Sequence, residues 1–348
     1  MRKQNKGEWS EYTTKLEILG NKAIRVVDYE DKTNNVCVVR SLQVSNKRYM
    51  LLGKSIYETT FLNESVDSRF VAFNTDIQKQ LKVIHTKIRN GRGSFSVSEA
   101  ESLANKLGID TATDYYHNKG DVYLEYLEPS GKVSKPQAFS IKSFVGNNPT
   151  ILNASVNSTR MKLRITGLSE EVLKGLKSKN MRVRENINTI LENSGGFRFV
   201  KFSDTLGANL GKLNAQKQIV FAVISHFRKK EKGASKMEYL ESLSTEDKKG
   251  SFNSAIKRVL RASLTGMMPS EHWSGVTSIS ERMLIKQPDG SCVAFLGKNQ
   301  LESYLYKFCY IDTPSQSKHK YGKIYEEDGQ WFIDLNFQIR LAKTKFNS

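Results

Sequence analysis

Asp121 and Lys142 are the two side chains whose types and positions in the sequence point most directly to chemistry. Asp121 lies at the start of the segment 120–126 and Lys142 near the end of the segment 137–143. In both segments apolar and polar residues alternate, as in half-buried strands. The stretch 128–131 between them has proline second and glycine fourth, which favours a type I turn. The sequence therefore predicts a hairpin whose polar face places an acid and an amine beside one site.

This arrangement resembles the PD-(D/E)xK nuclease core. In that core, an acid that opens one strand and an acid two residues before a lysine on the next strand hold Mg²⁺ against a phosphodiester. Ser140 stands in the place of the second carboxylate, and serine is a poor Mg²⁺ ligand. Glu125 shares the polar face with Asp121, but four strand residues span about 13 Å, too far for both to bind one ion. The missing carboxylate is therefore expected from another element.

The N-terminal segment offers that carboxylate. Its apolar residues recur at helical spacing up to Gly20, so the segment predicts an amphipathic helix. The apolar stripe consists of Trp9, Tyr12, Leu16 and Leu19. Glu8 and Glu11 are three residues apart on one helix face beside this stripe. Either glutamate could therefore complete a metal site at the hairpin.

Four separated parts of the sequence resemble type II restriction endonucleases of the HpaII type, and the similarity spans nearly the whole chain. These parts are 5–12, 139–143 with 152–155, 260–267 with 273–275, and 335–340. The resemblance implies Mg²⁺-dependent cleavage of double-stranded DNA at a short palindrome, with CCGG the best-known target of the family. Mn²⁺ is a possible substitute for Mg²⁺, and no nucleotide cofactor is expected. A palindrome mirrors two-fold protein symmetry, so a homodimer on DNA is expected.

The nuclease resemblance also implies a role for each residue of the site. Asp121, the backbone carbonyl of Ile141 and one of the two N-terminal glutamates would hold the metal ion. Lys142 would orient the attacking water and stabilise charge on the phosphorane. Ser140 belongs to the candidate site only because it occupies the position of the second carboxylate.

The composition is that of a basic protein. The chain has 54 Lys and Arg against 36 Asp and Glu, a formal net charge of +18 and a pI of about 9.6, which suits binding to polyphosphate. Its cysteines, Cys37, Cys292 and Cys309, are odd in number and far apart. This argues against a disulfide framework or a zinc site and favours a reducing cytoplasm, which the restriction-enzyme resemblance implies is bacterial. The longest apolar-rich run, 219–224, is far too short for a membrane span, and no secretory signal is evident.

The pattern of periodicities predicts an α/β (α+β) fold with a largely helical insertion. The resemblance implies that its core is of the PD-(D/E)xK type, a mixed sheet flanked by helices. We expect a nuclease core with the first helix and the hairpin (1–165), a helical DNA-contacting region (166–280) and C-terminal strands that close on the core and aid recognition (281–348). The predicted helices are 7–20, 70–85, 98–107, 169–176, 185–192, 215–228 and 252–264, with Ser98 and Glu101 as a capping box. Besides the hairpin, the predicted strands include 25–27, 36–39, 292–295 and 331–335.

The helix that follows Ser254 is the first candidate for DNA contact. Lys257, Arg258 and Arg261 lie opposite its apolar stripe, an arrangement suited to phosphate binding. A solvated helix face is an equally good interpretation.

Two C-terminal segments are further candidates. Lys318, His319 and Lys320 offer hydrogen-bond donors on a loop, and Gln338 and Arg340 alternate with apolar residues on a strand. Gln and Arg can read adenine and guanine edges bidentately in the major groove. Exposed strand residues without a special role are the alternative.

Other chemistries have weaker support in the sequence. The stretch 52–55 resembles the end of a P-loop, but position 48 is arginine where that motif needs glycine. There is no Gly-x-Ser-x-Gly elbow, and the histidines show no metal spacing with cysteine. Asp121 and Lys142 could instead form a cross-strand ion pair. The alternatives are therefore a catalytically inactive, sequence-specific DNA-binding protein or another nuclease of the same fold.

Overall fold

The structure, a computed structural model, describes residues 3–27, 35–44, 47–62, 65–109, 120–128, 130–154, 158–179, 181–228, 236–276 and 282–346. Contacts divide the chain into two compact units. Unit 1 comprises Met1–Pro149, Ser278–Leu301 and Lys343–Ser348, and unit 2 comprises Thr150–Thr277 and Glu302–Ala342. These divisions differ from the predicted ones at 165 and 280. The region 302–342 folds with unit 2 because its strands pair with strands between residues 150 and 166.

The strands of unit 1 are β1 (Ala23–Val26), β2 (Asn35–Val44), β3 (Lys47–Leu52), β4 (Ser55–Leu62), β5 (Ser65–Phe73), β6 (Val122–Tyr126), β7 (Gln137–Ser143), β11 (Met283–Lys286) and β12 (Cys292–Phe295). Those of unit 2 are β8 (Thr150–Leu152), β9 (Arg160–Thr166), β10 (Gly196–Phe202), β13 (Cys309–Asp312), β14 (Ile324–Glu327), β15 (Gln330–Asn336) and β16 (Gln338–Leu341).

The helices of unit 1 are α1 (Lys6–Asn21), α2 (Asn74–Asn90) and α3 (Ser98–Leu107). Unit 2 contains α4 (Glu170–Ser178), α5 (Val183–Glu192), α6 (Asp204–Lys212), α7 (Gln216–Arg228), α8 (Met237–Ser242), α9 (Glu246–Thr265) and α11 (Gln316–His319), and α10 (Lys298–Phe308) continues from unit 1 into unit 2. No helix in the described ranges is long and apolar enough to cross a membrane.

The sheet of unit 1 is mixed and has the strand order β1-β12-β11-β7-β6-β2-β3-β4-β5. The pairs β1 with β12 and β7 with β11 are parallel, and the other pairs are antiparallel. β2 is ten residues long and pairs with β1 near its start and with β3 near its end. Because β1 also pairs with β12, six strands (β1, β12, β11, β7, β6 and β2) close into a ring.

Helix α1 belongs to the core of unit 1 and packs against β7, β2, β11 and α2. Its predicted apolar stripe is buried, but so are polar residues on its other faces, among them Thr14, Lys15 and Glu17. The helix therefore carries charged side chains into the interior, where each needs a partner.

Unit 2 contains two smaller sheets, β10-β9-β15-β14 and β13-β16-β8, and most of the helices. All of their strand pairs are antiparallel. The C-terminal strands β15 and β16 each occupy an interior position in one of these sheets.

The predicted α/β class, the first helix and the pairing of the two hairpin strands are confirmed. The helix predicted from residue 70 begins only at Asn74, because the preceding residues pair with β4 as part of β5. The predicted capping box of Ser98 and Glu101 is wrong, since Val97 is the N-cap and makes no side-chain cap. Strand β10 and helix α10 were not predicted.

Candidate active site

The register of β6 and β7 offsets Asp121 from Lys142 along the hairpin. Val122 of β6 lies opposite Phe139 of β7. Asp121 directly precedes β6, and Lys142 lies on β7 three residues beyond Phe139. Asp121 and Lys142 are therefore not directly opposite each other, as a simple cross-strand ion pair would be.

The Asp121 carboxylate is held against the backbone of β7. Asp121 Oδ2 accepts a hydrogen bond of 2.6 Å from the Ile141 N–H, and the backbone N–H of Asp121 donates to the Phe139 carbonyl at 2.9 Å. The N–H and C=O of one strand residue point to the same edge. The Ile141 carbonyl is thus directed toward the edge at which Asp121 lies, so two kinds of oxygen ligand meet there.

Glu8 takes part in the capping of α1. Asn5 Oδ1 accepts hydrogen bonds from the N–H groups of Gly7 and Glu8 at 2.8 and 3.1 Å, and Glu8 Oε2 accepts one from the Asn5 N–H at 2.8 Å. This is a reciprocal capping box. Glu8 Oε2 is therefore engaged in capping the N-terminus of α1.

Glu11 lies one turn further along α1 and close to the hairpin. Burial, and then the nearby Asp121 carboxylate, raise the pKa of Glu11 to about 7, while Lys142 and Lys15 act to lower it. Its Oε2 is buried and has no hydrogen-bond partner among the described residues. A buried acid without a partner is costly. The structure thus brings Glu11, Asp121 and Lys142 together and leaves one carboxylate oxygen unsatisfied.

Ser140 and Glu125 are engaged elsewhere. Ser140 is buried in β7, and its N–H donates to the Arg282 carbonyl at 3.2 Å. Glu125 Oε2 accepts a hydrogen bond of 2.6 Å from Ser41 Oγ and forms an ion pair with Arg48. Ser140 has no carboxylate, and the carboxylate of Glu125 is already engaged, so neither residue supplies the missing metal ligand.

The donor set fits a divalent cation that a substrate would help to hold. Within the described ranges, no group of three or more His, Cys, Asp and Glu side chains has the arrangement of a metal site. Mg²⁺, however, is usually bound by one or two carboxylates together with substrate phosphates and water. Glu11, Asp121 and the Ile141 carbonyl supply such a partial set, and the partnerless Glu11 oxygen is the observation in its favour.

A second charged cluster lies on the same helix and was not predicted. Glu17 Oε2 is 2.8 Å from Lys286 Nζ, and Glu17 Oε1 is 3.2 Å from His85 Nε2. Burial and Lys286 lower the pKa of His85 to about 3, so the imidazole is neutral at physiological pH. The available signal was a lysine that ends the otherwise apolar strand β11.

The predicted DNA contacts on α9 are occupied within unit 2. Arg258 Nε donates to the Leu213 carbonyl at 3.0 Å, and Arg261 Nη1 is 2.8 Å from Glu302 Oε1. Lys257 Nζ lies over the Tyr306 ring, 5.6 Å from its centroid. These contacts hold the three cations against other residues of unit 2.

The C-terminal candidates also lie in unit 2. Lys318 and Lys320 are exposed at α11, and slight burial together with neighbouring cations lowers the pKa of His319. Gln338 and Arg340 lie on β16 and share one partner. Asp312 Oδ2 accepts a hydrogen bond from Gln338 Nε2 at 2.6 Å and lies 2.8 Å from Arg340 Nε.

Comparisons with known proteins show the family to which the chain belongs. A model of the HpaII restriction endonuclease family matches residues 5–341. The chain is 26% identical over 358 residues to the type II restriction enzyme HpaII of Haemophilus parainfluenzae. The aligned region covers 97% of this chain and 98% of that protein. No solved structure gives a significant match.

These matches define an enzyme that cleaves DNA, a type II site-specific deoxyribonuclease whose substrate is the double strand. The chain belongs to the HpaII restriction endonuclease family. The resemblance and the enzyme class predicted from the sequence are therefore confirmed.

Proposed function

We propose that this restriction endonuclease hydrolyses DNA at a short palindrome, CCGG, in a Mg²⁺-dependent reaction at a PD-(D/E)xK-like site, with Mn²⁺ as a possible substitute. The active residues are Glu11, Asp121, Lys142 and the carbonyl of Ile141. The observation that carries the proposal is the buried Oε2 of Glu11, which has no hydrogen-bond partner in the described part of the chain and lies near the Asp121 carboxylate. A cation between two such acids would offset both the burial and the repulsion.

Each residue has a task that follows from its position. Glu11, Asp121 and the Ile141 carbonyl would hold the ion, which when bound polarises the scissile phosphate and acidifies water. The hydrogen bond from the Ile141 N–H fixes the Asp121 carboxylate before DNA arrives. Lys142 orients the attacking water and stabilises negative charge on the phosphorane oxygens. We assign the missing carboxylate to Glu11 rather than Glu8, because Glu8 caps the helix.

For recognition, we propose that Arg340 reads guanine and that Lys318, His319 and Lys320 contact the DNA nearby. Asp312 Oδ2 lies 2.8 Å from Arg340 Nε, an ion pair that places the guanidinium beside this carboxylate, and a guanidinium can bind the O6 and N7 atoms of guanine bidentately. Gln338 would support this arrangement through the same carboxylate. The α9 cations are assigned to internal packing. The enzyme would act as a homodimer, since a palindrome presents its site twice.

The cytoplasm of a bacterium is the proposed location. All three cysteines are buried and free, as expected in a reducing compartment.

Substitution of the hairpin residues tests the active site. Asp121→Ala and Lys142→Ala should each lower the cleavage rate at least about a thousandfold, because each removes an electrostatic group that acts on the transition state. Specific DNA binding in gel-shift assays should remain. Glu125→Gln is the matched control and should cleave normally, since Glu125 is engaged with Arg48. Full activity in Asp121→Ala or in Lys142→Ala would refute the assignment.

The target is tested by digestion of an unmethylated genome with the purified protein and Mg²⁺, followed by sequencing of the fragment ends. The ends should derive from CCGG. Ends at a different palindrome would contradict the proposed target while leaving the active site intact.

A further inference from the structure

One face of the sheet β10-β9-β15-β14 carries cations that the sequence analysis did not select. β9 alternates regularly, so that its apolar residues point into unit 2 and its cations point to the opposite face. The buried residues are Met161, Leu163 and Ile165, and the residues on the opposite face are Arg160, Lys162 and Arg164.

The neighbouring strand β10 places further cations directly opposite these. Arg198 lies across from Arg164, and Lys201 lies across from Lys162. Cross-strand partners share a face of the sheet, and like charges in directly opposed positions destabilise it. Two pairs of directly opposed cations side by side therefore lower the stability of this sheet.

A β-bulge brings one of these cations to this face. The register shifts between Phe199 and Lys201, so Val200 is the extra residue. Without the bulge, Lys201 would lie opposite Met161 on the buried side of the sheet. Bulges commonly re-aim a side chain for function. Here the effect is to add a positive charge beside Lys162.

Local contacts hold several of these cations in place without neutralising the face. Lys162 Nζ lies 4.1 Å from the centroid of the Phe332 ring and forms an ion pair with Glu327. Arg160 Nη1 is 3.5 Å from Asp334 Oδ2. Arg198 is exposed. Lys201 Nζ is 3.4 Å from Asp204 Oδ1. The five cations outnumber the three carboxylates of these ion pairs, so an excess of positive charge remains on the face.

The face is continuous with the loop proposed to contact DNA. Arg160 Nη2 donates hydrogen bonds to the carbonyls of His319 and Lys320 at 3.0 and 3.2 Å. The exposed Lys318 and Lys320 therefore extend the same positive surface beyond the end of β9.

We propose that this cationic face, formed by Arg160, Lys162, Arg164, Arg198 and Lys201, binds the phosphate backbone of duplex DNA. The inference rests on the proposed function only in taking duplex DNA as the ligand. A polyanion relieves the repulsion within the face, whereas the same face of a second copy would add to it. The contact supplies affinity and position, and base reading stays with Arg340.

The test is the double variant Arg164→Gln with Arg198→Gln, which removes one opposed pair. DNA affinity should fall about tenfold, equally on target and unrelated duplexes, and the slope of log K against log salt should flatten by about two units. The melting temperature should stay level or rise, because the repulsion is gone. Arg198→Gln alone, at an exposed position, should flatten the slope by about one unit.

Lys174→Gln is the matched control. Lys174 is an exposed cation of α4. Lys177 of the same helix lies over the Trp331 ring of β15. Trp331 alternates with Phe332, so α4 lies on the face of the sheet opposite the cationic face. This variant should leave affinity and slope unchanged. An unchanged slope in the double variant, a loss confined to the target duplex, or a changed oligomeric state at constant slope would each overturn the inference. All binding is measured in EDTA, so a failure of the catalytic proposal would appear only in the cleavage assays.

Discussion

Helix α1 carries two buried glutamates whose surroundings differ, and the difference separates a structural charge from a functional one. Glu17 has a lysine, a histidine and a thiol within contact distance, with Cys292 Sγ at 3.3 Å. Glu11 has an acid, Asp121, as its nearest strong influence after burial itself, and one of its oxygens has no partner among the described residues.

The two environments have opposite energetic consequences. Burial raises the pKa of Glu17, but the Lys286 ammonium acts to lower it and satisfies the charge. At Glu11 burial and Asp121 both raise the pKa, and the opposing effects of Lys142 and Lys15 do not cancel them. A fold keeps such an unsatisfied acid only where a ligand repays the cost, which is typical of functional sites. The comparison therefore assigns Glu17 to the anchoring of α1 and supports the role in the chemistry that we propose for Glu11.

The largest effect is expected where the satisfied pair is broken. Glu17→Gln leaves the Lys286 ammonium, which is 1% exposed, without its carboxylate and should lower the free energy of unfolding by about 3–5 kcal/mol. Urea denaturation measures this change. The double variant Glu17→Leu with Lys286→Met should recover most of the loss, because it removes both charges together. A single variant as stable as the wild type would mean that the pair does not anchor the helix.

A smaller effect of opposite sign is expected at Glu11. Its pKa is about 7 in the folded protein against an ordinary value of 4.5, so the folded state binds the proton more tightly than the unfolded state. The residue therefore costs nothing below pH 4.5, and its cost grows as the pH rises through 7. In EDTA at pH 8, Glu11→Gln should stabilise the protein by up to about 3 kcal/mol, and the gain should vanish at pH 4.5.

Thermal unfolding of wild type and Glu11→Gln across this pH range measures the effect, with Glu17→Gln as the control of opposite sign. A Glu11→Gln variant that is less stable than the wild type at pH 8 would show that Glu11 is satisfied in the folded protein, and the contrast between the two glutamates would be lost.

Local patterns in the sequence were sufficient to predict much of the active site. The stripe from Trp9 to Leu19 predicted α1, and the alternation around Asp121 and Lys142 predicted the hairpin. The choice between Glu8 and Glu11 required the structure, because both lie on one helix face and only the capping geometry distinguishes them.

Long-range features could not be predicted in this way. The burial of Lys286 depends on Glu17, a residue far away in the sequence, and no local pattern shows that a lysine has an internal partner. The strand β10 was missed because the bulge at Val200 interrupts the alternation that identifies a strand. The ring of six strands likewise depends on β1 pairing with β12, which comes from the other end of unit 1 in the sequence.

The most direct test of the account is the single-turnover cleavage rate of Glu11→Gln on plasmid DNA with Mg²⁺, measured beside Glu8→Gln. The account predicts that Glu11→Gln cleaves at least about a thousandfold more slowly than the wild type, because it removes a carboxylate that would hold the metal ion. Glu8→Gln should stay within about tenfold, since the glutamine amide oxygen can still accept the capping hydrogen bond from the Asn5 N–H. A wild-type rate for Glu11→Gln, or a loss in Glu8→Gln alone, would contradict the central claim that Glu11 supplies the missing carboxylate.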